Sequence, residues 1–311
     1  MVEFKRDKQR RFGWYRPKPD GVLDINIAAR PLDDETWAEF CQLTKVASDF
    51  RAFMIDYMAL RLDFEALSSA SARLASNISS VIDARMVSAL AGIEAQAEAQ
   101  RLVTNFLGAA SAFRDRATTR LVHRFGKSSK EATAFNAKKS GIYDRSFAYR
   151  TLYALRNHAQ HHEHPLSMVP IKADRDPDGK LGVKIALQLD PLSLAANPKT
   201  NAKLRAELQA RGGELLNLLT LVSENMSEHD ELMLCLIEIH GPRIVEMAHY
   251  AAALHGLLEI PADAVPVVWE GSDPAGGPQT QDRWFECGFD ELEKIIRLGA
   301  SLRGETIPSG N

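Results

Sequence analysis

From about Ile82 to Phe125 the chain keeps an uninterrupted helical pattern, and Gly126 stands where a helix usually ends. A helix of that length makes the protein mainly α, and the neighbouring segments agree. Pro31 is placed to open an earlier helix, with Asp33 or Asp34 as its cap. Trp37, Phe40, Cys41, Val46, Phe50, Phe53, Met54 and Tyr57 follow along it at mixed three- and four-residue spacing. The small residues of SSASARLASNISS, 68 to 80, permit either close helix packing or a break. Ser128 to Glu131 fit a capping box, which starts another helix that ends near Gly141. Asp144 can cap the next, FAYRTLYALRNHAQHHE, and Pro165 disfavours helix at His164.

The period then changes. LSMVPIKA and GVKIALQL flank the turn DRDPDGK and read as a β-hairpin. Residues 199 to 258 return to helix, with interruptions expected at Gly212-Gly213 and Gly241-Pro242. VPVVWEG and DRWFECGF read as two short strands with Trp269 and Trp284 in the core, and DELEKIIRLGASL as a closing helix capped by Asp290. The expected architecture is a helical bundle with long helices and a small β element. It divides into a basic arm over 1–30, a bundle with its hairpin over 31–200, and a mostly helical region with two strands over 201–311.

Charge is unevenly spread. The formal charge of the 311 residues is -3, yet Arg114 to Arg150 hold ten Lys/Arg against three Asp/Glu, and Glu224 to the end hold five against sixteen. The basic segment can meet a polyanion and the acidic one cannot. In the arm, Lys5, Arg6, Lys8, Arg10, Arg11, Arg16 and Lys18 alternate with Phe12, Trp14 and Tyr15. That mixture can stack and pair on a nucleic acid, or be a solvated tail partly packed on the body. Cys41, Cys235 and Cys287 are widely spaced, as reduced thiols would be. The amino terminus lacks the apolar stretch of a signal peptide, and charged residues interrupt the most apolar region, 232 to 258. A cytoplasmic protein that does not contact a membrane is expected.

Four of the nine histidines, His158, His161, His162 and His164, fall in LRNHAQHHEHPL at the end of a predicted helix. His158 and His162 are spaced i, i+4, which places two imidazoles on one face as a metal pair would be. There is no HExxH, and further ligands would have to come from His229, His240, His249 or His255. Acid–base chemistry needs less. Asn157 and His161 share a face, while Arg156 points roughly 140° away from His161 at about 100° per residue. Two copies brought together would present two histidines and two arginines to one cleft. One imidazole could take the 2′-hydroxyl proton of an RNA and the other protonate the leaving 5′-oxygen, with the guanidinium stabilising charge on phosphorus. The plain structural alternative is a polar helix end where protonated histidine offsets the last carbonyls.

Arg156-Asn157-His158-Ala159-Gln160-His161, an arginine, a polar residue and a histidine near the end of a helix, resembles the signature of the HEPN superfamily. The likeness extends loosely over about residues 95 to 190 and leaves 1 to 90 and 200 to 311 unexplained. It implies a helical bundle that dimerises through the motif helix. It also implies RNA cleavage without metal or other cofactor in many members, often in toxin, antiphage or stress-response systems where an antitoxin or regulatory protein is a partner. Arg156 and His161 would be the catalytic pair and Asn157 the polar residue beside them. The basic stripe Arg116, Arg120 and Arg124, continued by Lys127, Lys130, Lys138 and Lys139, is what an RNA backbone would need, or a solvated face. Two further readings stay open: a non-catalytic helical homodimer binding nucleic acid, a nucleotide or a protein, and a metalloprotein using His158 and His162. No dinucleotide-binding, P-loop or nucleophile-elbow motif is present.

Overall fold

The computed structural model describes residues 8–83, 89–161, 166, 169–175, 181–271 and 282–306. It is mainly α, as expected, with small antiparallel sheets. Two compact units are distinguished, 53–236 and a second made of 1–52 with 237–311. This is not the expected division at residue 200. Both boundaries fall inside long helices, α1 (Asp34–Ser68) and α8 (Leu218–Leu258).

The unit formed by the two ends of the chain corrects the expectation of an arm over 1–30. Residues Gln9–Pro17 are strand β1 and Leu23–Ile27 strand β2, in a sheet of order β2-β1-β7-β8 with β7 at Val265–Gly271 and β8 at Arg283–Glu286. β1 is an inner strand, with Gly13 opposite Ile27 on one side and Val267 on the other. A side chain at Gly13 would come within 2.4 Å of the Asn26 carbonyl oxygen, so the two strands can approach only through glycine there. Phe12 packs edge-on against Phe40 of α1, which stacks on Trp37. The basic residues are matched at close range: Arg10 donates to Glu270 at 2.8 Å and lies over the Trp37 ring, and Arg16 pairs with Asp24 and Asp263. Lys5 and Arg6 lie outside the described residues. Trp269 is fully buried as expected, whereas Trp284 is half-exposed. The closing helix α9 (Phe289–Leu302) is preceded by Gly288 in a left-handed conformation rather than capped by Asp290, which sits in its first turn.

The other unit holds α2 (Ala70–Asp83), α3 (Ala89–Phe125), α4 (Lys130–Arg145), α5 (Phe147–His161), the strands β3 (Ile171–Arg175), β4 (Leu181–Ile185), β5 (Gln188–Leu189) and β6 (Leu216–Asn217), and the short helices α6 (Pro191–Ala196) and α7 (Ala202–Gln209). The small-residue stretch is helical except at Ser69, whose hydroxyl donates back to the Glu65 carbonyl. Gly126 ends α3 at φ 96°. Ser129 caps α4 by accepting from the Ala132 amide at 3.1 Å. Replacing Ser129 with alanine is expected to cost about 1 kcal/mol, read from the urea midpoint. α4 runs on past Gly141 to Arg145, and Ser146, not Asp144, caps α5 by accepting from the Tyr149 amide at 3.0 Å. β3 and β4 form the expected hairpin, Ile171 facing Ile185. The Gly212-Gly213 interruption is present, but α8 passes through Gly241-Pro242 unbroken.

Around Phe106, Phe113, Phe135 and Leu155 this unit has an apolar core that also buries charge. His229 is fully enclosed, against Phe113 and the face of Tyr149, with Nδ1 donating to the Asn225 carbonyl at 2.7 Å. Burial, and then the nearby Arg114 guanidinium, hold its pKa down at about 3. An unfolded chain regains the ordinary value near 6.5, so below that pH it binds one proton more than the native state. Stability should therefore be fully present above 6.5 and fall as the pH drops toward 3, by up to about 1.4 kcal/mol per pH unit from this group. Urea midpoints at about pH 7.5 and about pH 5 check this, and His229→Leu should flatten the dependence by one proton.

Candidate active site

α5 positions the candidate residues. Its buried side, Ala148, Tyr149, Thr151, Leu152 and Leu155, faces the core, with α3, α4, α6 and α7 as its neighbours. Anchorage comes from Arg150, only 3% exposed. Its guanidinium donates to the Tyr143 and Asp144 carbonyls at the end of α4, at 2.7 and 2.8 Å, and to both carboxylate oxygens of Glu207 on α7. Arg114 of α3 lies against the rings of Tyr149 and Tyr153 at 4.9 and 5.4 Å. Beyond the helix, Leu166 is clamped through its backbone, its amide donating to Gln100 Oε1 and its carbonyl accepting from Gln100 Nε2, each at 3.0 Å.

The last turns of α5 carry the motif. Arg156 is half-buried, and its Nη1 donates to Asn157 Oδ1 at 3.2 Å. No carboxylate pairs with Arg156 among the described residues, in contrast to Arg116, Arg120, Arg145 and Arg150. His158 Nδ1 is 2.9 Å from Asn197 Nδ2, which occupies one nitrogen of the imidazole weighed as a metal ligand. His161 is the final residue of α5; its side chain lies outside the described residues, as do His162 and His164 altogether. Among the described residues no group of three His, Cys, Asp or Glu side chains is placed to hold a metal ion.

The chain matches no family model, no curated protein and no solved structure. The predicted basic stripe is largely engaged within the molecule. Arg116 and Arg120 both pair with Asp56, which is 6% exposed, and Arg124 lies over the Phe125 ring. Lys138 pairs with Glu231 at 2.6 Å. Lys139 donates to Thr118 Oγ1 at 3.0 Å, and burial lowers its pKa. Lys127 and Lys130 are exposed. The local excess of positive charge is thus smaller than the sequence count, because Asp56, Glu207 and Glu231 reach it from outside the segment. No helix among the described residues is long and apolar enough to cross a membrane.

Sequence reasoning missed the second row of residues around the motif helix: Tyr143, Asn197, Lys199 and Asn201. Asn197 and Asn201 bracket the turn NPKTN between α6 and α7, where each accepts from backbone amides, Asn197 Oδ1 from Lys199 and Asn201 Oδ1 from Leu204. Two asparagines around a proline marked a structured turn. Nothing local showed that the turn would meet α5.

Proposed function

We propose that the protein is a metal-independent endoribonuclease, with His161 as the acid–base catalyst and Arg156 as the stabiliser of charge on the scissile phosphate. One observation carries the reading: Arg156 is half-buried, with its Nε buried and without a hydrogen-bond partner and no carboxylate paired with it among the described residues, within five positions of His161 on the last turns of one helix. A guanidinium left without an anion beside polar neighbours is what a phosphodiester needs. Asn157 accepts from Arg156 and so holds its fork in place.

Arg156 and His161 are five residues apart and diverge by roughly 140° around the axis. One helix therefore cannot aim both at one phosphorus, and a second copy of α5 across a cleft supplies the missing partner. The active form is a homodimer through the motif helix, sedimenting at twice the chain mass. The reaction needs no metal: attack by the 2′-oxygen on phosphorus, with its proton taken by imidazole, expels the 5′-oxygen and leaves a 2′,3′-cyclic phosphate. The test is incubation with RNA in excess EDTA and identification of the new ends. Cyclic phosphate termini are expected, and protection of RNA by EDTA would refute the scheme. RNA cleavage of this kind suits a toxin, defence or stress-response role, in which an antitoxin or regulatory protein would cover the cleft.

A further inference from the structure

A cavity of about 50 Å3 lies against the side of α5 that carries Asn157. Its walls include Tyr143, Arg150, Tyr153 and Asn157 from α4 and α5, and Asn197 and Lys199 from the turn between α6 and α7. Size limits its occupant first. A water needs roughly 10–15 Å3 of such space, so the cavity holds about four waters or one group of that bulk. Small-molecule sites run to roughly 300–1,000 Å3, which excludes a whole nucleoside.

Hydrogen-bond chemistry decides next. Asn201 donates to the Tyr143 hydroxyl oxygen, so that hydroxyl keeps its own proton to give. Asn197 uses its carbonyl on the Lys199 amide and one N–H on His158, and Arg150 is taken up by Glu207 and two carbonyls. Arg156 occupies the carbonyl end of the Asn157 amide, which leaves its NH2 as the end that can donate. With the Tyr153 hydroxyl and the Lys199 ammonium, each of the groups left over can donate. No carboxylate is among the described lining residues. Lys199 is exposed, and no carboxylate pairs with it among the described residues. A small cavity rimmed by donors and one uncompensated positive charge selects an oxyanion.

We propose that this cavity holds a backbone phosphate of RNA, the one neighbouring the scissile diester along the strand. The inference rests on the ribonuclease reading, since Asn157 belongs to both places: its carbonyl faces Arg156 and its amide nitrogen serves the cavity. Arg156 adjoins Asn157 on α5 and donates to its carbonyl oxygen, so the cavity and the Arg156 guanidinium lie side by side. The subsite sets the register of the strand, so that the following phosphate falls to Arg156.

Two arms separate a free anion from an RNA phosphate. In the first, thermal unfolding of the intact protein is followed against inorganic phosphate, with chloride at equal ionic strength as reference. The wild type should gain stability saturably, and Lys199→Gln and Tyr153→Phe, both changes at exposed side chains, should each need about tenfold more phosphate. In the second, an RNA with 2′-O-methyl at every position is bound but cannot be cut. Lys199→Gln should bind it about tenfold more weakly, with a salt slope smaller by about one. Equal phosphate response in wild type and Lys199→Gln overturns the subsite. A phosphate effect with equal RNA-analogue binding also overturns it, since the anion would then not be RNA's. Unmodified RNA that is bound through Lys199 but never cut sinks the nuclease reading alone.

Discussion

Arg156→Ala and His161→Ala are each expected to lower the rate of RNA cleavage by roughly 10²–10⁴-fold, with the fold intact. Arg156 is half-buried rather than part of the core, and His161 is the final residue of its helix. The loss should therefore appear in turnover while circular dichroism and the urea midpoint stay near the wild type. Arg156→Lys should not restore activity, because an ammonium lacks the planar fork that spans two phosphate oxygens. The rate should depend on pH as a bell, since one imidazole of the dimer must be neutral and the other protonated. Mixing the two inactive variants adds a sharper check. Because the cleft needs both copies of His161, one as base and one as acid, the mixed dimer, which holds a single His161, should stay inactive. Full activity in His161→Ala would remove the histidine from the mechanism.

The largest effect on stability is expected at Glu207→Ala, about 3 kcal/mol, seen as a fall in Tm of roughly 6–12 °C for a unit of this size. The cost comes from the partner left behind. Arg150 is 3% exposed and gives two of its N–H bonds to Glu207, so its charge would stay buried with carbonyls alone for company. Glu207 itself is 32% exposed, which keeps the effect at the lower end for broken buried pairs. Removing both charges is gentler than removing one: Arg150→Met with Glu207→Ala should recover part of the loss. A cost below about 1 kcal/mol for Glu207→Ala would mean that water reaches the guanidinium readily.

Features legible in the sequence are those whose cause is local. Ser129 caps α4 through an amide three residues away, and Gly126 ends α3 through its own backbone angle. The hairpin of β3 and β4 was read from a short turn between two β-rich runs, and β7 from valines around Trp269. What failed was non-local. Arg10, Phe12 and Trp14 read as an arm, either for nucleic acid or as a solvated tail partly packed on the body, because their strand partner and the carboxylate of Glu270 lie at the far end of the chain. A signal did exist: the basic first residues and the acidic last third have complementary charge. Gly241-Pro242 read as a break, but apolar side chains on both sides of it, Leu232, Leu236, Ile244 and Met247, are buried, and that burial exceeds the roughly 3 kcal/mol a proline costs inside a helix. At the candidate site the motif itself was legible and its surroundings were not. Arg156 and Asn157 share one helix, whereas Lys199, Asn197 and Glu207 arrive by tertiary packing.

The pairing of β1 with β7 has a consequence for synthesis. Arg10 and its partner Glu270 are 260 positions apart, so the amino-terminal strand leaves the ribosome long before its neighbour exists. β2 can cover one edge at once as a hairpin; the other stays open while the whole of 53–236 is being made and can fold. An open edge invites pairing with other nascent chains. The arginines at 10 and 11 repel such partners in the interim, Arg16 being paired already with Asp24 of β2, and Glu270 neutralises Arg10 once the last strands emerge.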